Sequence, residues 1–391
     1  MKIVFWIALF IVFYTYIGYG ILLYIIIRLK RLFVGRPHEA VLPADDELPT
    51  MTLMICAYNE EDIVKEKMAN TLALDYPKDK FRIMWVTDGS NDHTNELLAA
   101  YPEVDIVFSP ERRGKTAALK HGLRELKTRY VAFTDANTMI NTGALREIAR
   151  LFSDPTVGCV SGEKRVAARK AGEMASEGEG LYWRYESTLK RWDSELYSAM
   201  GAAGELYAID PQLCREVPDE ALLDDFMLSM YVVQAGKRIA YTSDAYAREY
   251  GSANIYEESK RKRRIAAGGL QSIWWLRSML NPLRQPLVTF QYVSHRVLRW
   301  SITPVAMVLL LIVNIALVAM GAGTFYTVML ILQTLFYLMA LAGWLTNRFG
   351  YKNKLLYTAY YFMFMNFNVF RGMAYLRSHG KSGAWEKAKR S

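Results

Sequence analysis

The chain has 391 residues, 52% of them hydrophobic and 22% charged, which is too long for one ordinary core and fits a domain of about 200 to 250 residues with further elements. The formal net charge of +9 in so apolar a chain indicates cytosolic loops and anionic lipid head groups, and no nucleic-acid partner is predicted. Three isolated cysteines exclude a disulfide scaffold and a zinc finger, and they favour a reducing compartment.

The first predicted element is a membrane anchor over residues 1–36. Residues 3–27 carry no charge, and about 25 helical residues cross a hydrocarbon core of about 30 Å. One lysine precedes the segment and four basic residues follow it, so the amino end is expected outside and the next domain in the cytosol. A cleaved signal peptide is the alternative, but the run is too long and no small-residue cleavage site follows.

Residues 37–250 are predicted to form a cytosolic α/β domain. Short β-branched or apolar runs predict strands over 52–57, 82–87, 105–108, 130–134 and 157–161. Helical patterns lie between the first four, over 59–74, 92–100 and 115–126. This order indicates buried parallel strands with crossover helices, and ligands of such sheets bind beyond the carboxyl ends of the strands.

Acidic residues stand at those strand ends, namely Glu60, Asp88 and Asp135. No GxGxxG or GxxxxGK[ST] motif occurs there, so neither a dinucleotide fingerprint nor a P-loop is supported. A divalent cation held by few carboxylates can neutralise a leaving diphosphate, and a separate carboxylate can deprotonate a hydroxyl. Together these features predict sugar transfer from a nucleotide sugar.

Six short motifs come in the order found in family 2 glycosyltransferases with a GT-A fold. They are ICAYNEE from Ile55, TDGS from Thr87, Lys115, DAN from Asp135, GAAG from Gly201 and DDFML from Asp224. The layout resembles membrane-integrated members such as hyaluronan, chitin, poly-N-acetylglucosamine and cellulose synthases. The resemblance covers roughly residues 50–280 and implies an α/β GT-A domain between one amino-terminal and two to three carboxyl-terminal spans.

The resemblance also implies which residues bind a UDP-sugar donor. Those residues are Ala57, Tyr58, Glu60, Asp88, Lys115, Asp135, Arg264 and Arg261. Structural alternatives exist for three of them, because Tyr58 can cap the sheet edge, Glu60 suits a helix start and Asp88 suits a turn.

A divalent cation, Mg²⁺ or Mn²⁺, is expected at Asp135 and Asn137, in the position of the family's DxD motif. Asn137 departs from that motif, and its amide oxygen can ligate a hard cation without adding charge. Binding of the free ion should therefore be weak and depend on the nucleotide diphosphate. A simple turn at Asn137 is the alternative.

The resemblance places the general base at Asp225, with Asp224 as a neighbour that tunes it. Two adjacent carboxylates repel each other and raise the pKa of one, although they can equally cap a helix. The resemblance places acceptor-binding residues at Gly201, Gly204, Glu205 and Tyr207.

Residues 251–299 are predicted to be a basic segment with interfacial helices. The run KRKRR at 260–264 stands where related enzymes have Gln-x-x-Arg-Trp, so Arg264 aligns with the Arg, Arg261 replaces the Gln and Ile265 replaces the Trp. Most of these charges are expected in a solvated cluster facing the lipid. A helix over 269–280 carries Trp274 and Trp275, which suit the head-group interface, with an ordinary core helix as the alternative.

Residues 300–376 are predicted to hold the closing spans, followed by a basic tail over 377–391. Segments 300–320 and 325–345 form a tight hairpin whose tip lies outside. Segment 355–376 contains Asn366, Asn368 and Arg371, so it either crosses with its polar side chains facing a bundle or cavity, or re-enters.

These features predict an inverting glycosyltransferase in the cell membrane, with several spans and a cytoplasmic catalytic domain. It would transfer sugar from a UDP-sugar to a lipid-linked or saccharide acceptor, and membrane lipids would be further partners. Inversion is implied by the resemblance. The alternatives are a processive polysaccharide synthase that translocates its product and a non-enzymatic scaffold with a decayed transferase domain. The donated sugar, the linkage and the oligomeric state stay open.

Overall fold

The computed structural model describes residues 1–35, 40–167, 174–250, 255–349, 351 and 353–379. Arg36, Lys352 and the part of the predicted basic tail from residue 380 onward lie outside the described residues. The amino-terminal segment is helical, with α1 over Lys2–Phe13 and α2 over Tyr19–Val34. A π-helical turn over Tyr14–Gly18 joins them.

The described strands form one mixed sheet in the order β3-β2-β1-β4-β7-β6-β8-β5. They are β1 Met51–Ala57, β2 Phe81–Asp88, β3 Val104–Ser109, β4 Tyr130–Asp135, β5 Met139–Ile140, β6 Val157–Ala167, β7 Leu206–Ile209 and β8 Arg238–Tyr250. The predicted parallel pairing is confirmed for β1 through β4. However, β7 runs antiparallel to β4 and β6, and β5 runs antiparallel to β8, so the sheet is not parallel throughout.

Alternate side chains of the parallel strands fill two cores, one on each face of the sheet. Leu53 and Trp85 belong to the first core, and Met54 and Val86 belong to the second. Helices α3, α4 and α6 cover the first face, and α5 and α8 cover the second. The domain helices are α3 Glu61–Leu72, α4 Thr94–Ala99, α5 Lys115–Arg124, α6 Ala144–Phe152, α7 Met174–Leu196 and α8 Asp224–Gln234. The polar residues after β1, β2 and β4 therefore meet at one edge.

The basic segment differs from its prediction. Helix α9 spans Ile255–Trp275 and ends in a 3₁₀ turn over Arg277–Leu280, so the predicted helix 269–280 is only its last part. Arg261 and Lys262 are buried. They lie 3.8 Å and 3.4 Å from the carboxylate of Glu258, one turn earlier. The expected solvated cluster is therefore wrong for Lys262, because α9 packs into the protein and its acidic first turn pairs with this charge. Arg261 was predicted to bind the donor instead.

Short helices connect α9 to the closing spans. They are α10 Pro286–Tyr292, a π-helical turn Val293–Val297 and α11 Leu298–Trp300. The two π-helical turns contact each other, since the hydroxyls of Tyr14 and Ser294 lie 2.7 Å apart. Thr15 and Thr303 make a second buried hydroxyl contact at 2.8 Å. These contacts fix the first membrane helix against the segment before the closing spans and against the start of the first of those spans.

Three described helices are long and apolar enough to cross a membrane, namely Lys2–Val34, Ile302–Ala319 and Thr324–Arg348. The latter two are α12 and α13, and they confirm the predicted hairpin segments. Helix α14 spans Lys354–His379 without a break, so residues 355–376 do not fold back as a re-entrant loop. Its polar side chains face other helices: Asn366 accepts from Tyr16 at 2.6 Å, and Asn368 accepts from Ser259 at 3.0 Å.

Candidate active site

A cavity of about 680 Å³ begins at the ends of β1, β2 and β4 and continues between α7, α9 and α14. Its first part, the strand-end half, is lined by Ala57, Tyr58, Glu60, Asp88, Lys115, Asp135 and Asn137. Its second part, the helix-lined half, is lined by Tyr16, Glu186, Lys190, Arg296, Arg299 and Asn366. The Asp225 carboxylate interacts electrostatically with Lys115 of the strand-end half and with Lys190 of the helix-lined half.

Asp88 holds a loop in the strand-end half. Its carboxylate accepts backbone N–H groups from Arg113 at 2.9 Å and Gly114 at 2.7 Å. Gly89 makes this approach possible, because it has φ +69° and an added Cβ would lie 2.6 Å from the Arg112 nitrogen. The carboxylate thus shapes a wall of the cavity where donor binding was predicted.

The loop after β1 contributes an aromatic ring to the same wall. The Arg112 guanidinium lies 4.0 Å from the centre of the Tyr58 ring. The backbone N–H of Glu60 donates to Thr94 at 2.9 Å, which ties this loop to the start of α4. Arg112 was not predicted, since its position depends on a loop between elements rather than on a motif.

Lys115 links the carboxylates at the cavity's centre. Its ammonium lies 2.7 Å from Asp135 and 4.0 Å from Asp224. Burial lowers the pKa of Lys115, but Asp135 and Asp224 outweigh burial and hold that pKa well above its usual value. The ammonium therefore stays charged at neutral pH and offsets part of the negative charge here.

The start of α8 brings Asp225 to the cavity wall. Burial and then the neighbouring Asp224 raise the pKa of Asp225 to about 6, although Lys115 opposes them. Gly204 lets this carboxylate approach the backbone, because an added Cβ would lie 2.9 Å from its Oδ2. A carboxylate with this pKa is ionised at pH 7 yet basic enough to accept a proton.

Two of the predicted acceptor residues do not line the cavity. Tyr207 is 1% exposed and stacks on Phe133 at 4.7 Å between ring centres, so its ring is part of the core. Gly201 has φ +94° and packs on the Phe226 ring, which explains a glycine at this turn. These positions correct both predictions. A sequence motif does not show the direction in which each side chain points, and for this reason both residues were predicted to bind the acceptor.

Glu205 does line the cavity, but in an ion pair with Lys164 at 2.5 Å. Burial raises the pKa of Glu205, while Lys164 and Arg261 outweigh burial and hold that pKa well below its usual value. Arg261, Arg264 and Ile265 also reach the cavity from α9. The structure therefore brings the predicted pair of arginines together with the centre of the site.

Two tryptophans line the cavity in addition to Ile265, namely Trp183 and Trp300. Trp300 contacts Phe226 edge to face at 5.0 Å, and the Arg296 guanidinium lies 5.5 Å from its ring centre. Trp300 was assigned to a span by its sequence and was missed as a site residue. Its ring lies next to Gly269, where an added Cβ would meet it at 2.5 Å.

The helix-lined half was not predicted. Arg296 and Arg299 contact the two oxygens of Glu186 at 2.6 Å and 2.9 Å. Burial raises the pKa of Glu186, but Arg296, His295 and Arg299 hold that pKa well below its usual value. His295 lies 2.5 Å from Asp193, which anchors this cluster to α7. Two signals in the sequence were the basic residues directly before a closing span and the polar Asn366 within segment 355–376.

The donor set for a metal ion is small. Among the described residues, no group of three or more His, Cys, Asp or Glu side chains is arranged to hold an ion. Asp135 and Asn137 both line the cavity. They offer one carboxylate and one amide oxygen, which fits Mg²⁺ or Mn²⁺ only when substrate phosphates and water complete the shell.

Comparisons with known proteins agree with this geometry. Residues 52–209 match the family described as Glycosyl transferase family 2. A Poly-beta-1,6-N-acetyl-D-glucosamine synthase of Staphylococcus aureus (strain MSSA476) is 36% identical over 125 residues, 31% of this chain and 30% of that protein. A Beta-monoglucosyldiacylglycerol synthase of Synechocystis sp. is 25% identical over 259 residues, 62% of this chain and 53% of that protein. The chain thus matches about a third to a half of these relatives' lengths.

One solved structure shares the architecture almost throughout. The mannosyltransferase PcManGT from Pyrobaculum calidifontis, determined with GDP-Man and Mn²⁺, superposes with a TM-score of 0.68 at 21% identity. The match covers 95% of this chain and 98% of that one. It confirms the predicted α/β GT-A fold with its flanking helices.

Proposed function

We propose that this chain, in which residues 52–209 form a family 2 glycosyltransferase domain, is an inverting membrane glycosyltransferase with Asp225 as its general base. It transfers a sugar from a UDP-sugar to a lipid-linked or saccharide acceptor at the cytosolic membrane face. The observation that carries the proposal is the position of Asp225, a carboxylate with a pKa of about 6 at the junction of both cavity halves.

In the proposed reaction, Asp225 accepts the proton of an acceptor hydroxyl. The hydroxyl oxygen forms the new bond to the anomeric carbon, and the bond to the nucleoside diphosphate breaks with its electron pair leaving on the diphosphate. A single displacement of this kind inverts the configuration and requires no enzyme nucleophile. Mg²⁺ or Mn²⁺, held by Asp135 and Asn137 together with the donor, would neutralise charge on the leaving group.

Donor binding is assigned to the strand-end half. The Arg112 guanidinium lies over the Tyr58 ring, and these two planar groups suit a nucleobase. Lys115 and Arg264 supply positive charge for a diphosphate. The structural neighbour was determined with GDP-Man and Mn²⁺, which supports a nucleotide sugar and a divalent ion.

The identity of the acceptor distinguishes a transferase that adds single sugars from a processive polysaccharide synthase. One of the two relatives is named for a polysaccharide product and the other for a glycolipid product. Asp225, Asp135 and Lys115 all face one cavity, which supports an active enzyme over a decayed scaffold.

The proposed topology follows the basic residues that flank the spans. The amino terminus lies outside, and the catalytic domain and the segment after Arg348 lie in the cytosol. We expect a cysteine label at the amino terminus to react with an impermeant reagent in intact cells, and one beside Phe349 to react only after lysis. The reverse pattern would contradict the topology.

The function is tested with the purified full chain in lipid nanodiscs. A panel of UDP-sugars with Mn²⁺ or Mg²⁺ should release UDP for one sugar, and mass analysis of lipid and saccharide fractions identifies the product. Asp225→Asn should remove release, while the matched control Asp219→Asn should keep it, because Asp219 is exposed and pairs with Lys120. No UDP release with any sugar, in the presence of native membranes, would refute a UDP-sugar transferase.

A further inference from the structure

Lys190 is a buried ammonium group that the proposed reaction does not use. The side chain reaches the helix-lined half from α7, and the residue is 4% exposed. Within the described part of the chain, its ammonium makes no hydrogen bond or ion pair. Burial, followed by repulsion from Arg296, lowers the pKa of Lys190 to about 8.

Such a group is costly unless a ligand pairs with it. A buried charge without a counter-ion destabilises a fold, so a protein that retains one usually does so for binding or catalysis. Glu186, and after it Glu205 and Asp225, act on Lys190 only through longer-range attraction, and the Glu186 carboxylate is already paired with Arg296 and Arg299. The ammonium is therefore available to a negatively charged group that enters the cavity.

The surroundings of Lys190 favour an anion further. Arg296 and Arg299 point into the same half and share the one carboxylate of Glu186. Arg296 also donates its Nε–H to the Met200 carbonyl at 2.7 Å, which fixes the guanidinium in place. Two oriented guanidinium groups and an ammonium match the several acceptor oxygens of a phosphate.

The position of this half indicates where the phosphate comes from. Tyr16 of the first membrane helix and Phe362 and Asn366 of α14 line it. The donor's diphosphate, in contrast, has Lys115 in the strand-end half. A second phosphate site beside Asp225, bordered by the first membrane helix and by α14, suits the molecule that supplies the attacking hydroxyl.

We infer that Lys190, with Arg296 and Arg299, binds a phosphate group carried by the acceptor. The inference rests on the proposed function, because it takes the cavity as a transferase site, and it narrows the acceptor to a phosphate-bearing molecule. A phosphorylated membrane lipid and a soluble sugar or glycerol phosphate share this chemistry.

Binding is measured on the full chain in nanodiscs with three probes: dioctanoyl phosphatidic acid, dioctanoylglycerol and glycerol 3-phosphate. We expect phosphatidic acid to bind at least about tenfold more tightly than dioctanoylglycerol, since charge-assisted hydrogen bonds are among the stronger polar contacts. Glycerol 3-phosphate binding as tightly as phosphatidic acid would identify a soluble acceptor. Equal affinity for phosphatidic acid and dioctanoylglycerol would overturn the inference.

Variants on α7 separate binding from folding. Lys190→Met should weaken phosphatidic acid binding about tenfold or more, and Lys190→Arg should restore most of it. Arg191→Met is the matched control, because Arg191 is exposed on the same helix. It should leave the affinities for phosphatidic acid and for dioctanoylglycerol unchanged. Lys190→Met should also raise the Tm of the ligand-free protein at pH 7, since it removes a buried charge. A lower Tm with unchanged affinity would show a purely structural lysine.

UDP distinguishes this site from the donor site. Saturating UDP with Mn²⁺ should leave phosphatidic acid binding in place. The UDP diphosphate is assigned to Lys115 and Arg264, whereas the lipid phosphate is assigned to Lys190 and its neighbouring arginines. Competition between UDP and phosphatidic acid would assign Lys190 to the donor and overturn the inference. Failure of the transferase itself appears separately, as absence of UDP release in the sugar panel.

Discussion

The two halves of the cavity handle charge in opposite ways. In the strand-end half, carboxylates are already engaged by the protein: Asp88 by backbone amides and Asp135 by Lys115. In the helix-lined half, cations predominate and Lys190 makes no direct ion pair with a described residue. The first half is therefore suited to a ligand that brings a cation with its phosphates, and the second to a ligand that brings an anion alone.

Asp225 lies where these two environments meet. Burial and Asp224 favour its protonated form, whereas Lys115 favours its ionised form. The resulting pKa of about 6 places its change of charge just below neutral pH. The pKa of Asp225 therefore reports on both halves of the cavity. The changes below alter Asp225 itself or groups in the strand-end half and the cavity wall.

The largest effect is expected from Asp225→Asn. The amide cannot accept a proton, so kcat should fall by about 10² to 10⁴. The affinity for UDP should stay nearly unchanged, because the base acts in the transition state. Single-turnover transfer and UDP titration measure the two quantities, and a normal transfer rate in Asp225→Asn would show that the base lies elsewhere.

Asp135→Ala should act mainly on donor binding. Loss of the carboxylate removes the proposed ion ligand and leaves Lys115 without its closest partner. Metal-dependent affinity for the UDP-sugar should fall roughly tenfold or more, and transfer should fall with it. Calorimetry with and without EDTA measures the change. If donor affinity were equal in both proteins, Asp135 would not be a metal ligand.

The pH profile tests the centre of the site. A general base must be ionised, so kcat should decrease as the pH falls below about 6. In Lys115→Met the midpoint should move to higher pH, because a cation that stabilises ionised Asp225 is lost. The profile of kcat at saturating donor separates this shift from weaker donor binding. A midpoint that moves down, or not at all, would contradict the assigned coupling.

A smaller effect is expected from Asn137→Asp. A second carboxylate adds charge to the ligand set, so Mn²⁺ should bind a few-fold more tightly in the absence of nucleotide. Calorimetric titration of the ion into the apo protein measures it. Unchanged affinity would assign Asn137 to the turn after β4.

The smallest effect concerns product length. Ile265 offers less stacking area than the tryptophan of related enzymes, so one or a few sugars should be added per encounter. Trp183 and Trp300 line the cavity from other directions. Mass analysis at excess acceptor measures the length, and long polymer made before most acceptor is extended would contradict the prediction.

Much of the fold could be predicted because its signals are local. Strands β1 to β4 are short apolar runs with helical patterns between them, and their parallel pairing follows from that alternation. Strand β8 was missed because its 13 residues include Arg238, Asp244 and Arg248. It is a strand because it pairs with β6 along most of its length, which no local pattern shows.

The sequence by itself determined the membrane helices, the parallel half of the sheet and the acidic strand ends, since each depends on residues close together in the chain. Only the tertiary structure decided which side chains face the cavity: it buried Tyr207, turned Asp88 to the loop before α5, and brought Lys190 and Arg296 together from 106 positions apart. Burial and distance set the charge of such groups. Both are properties of packing between distant segments.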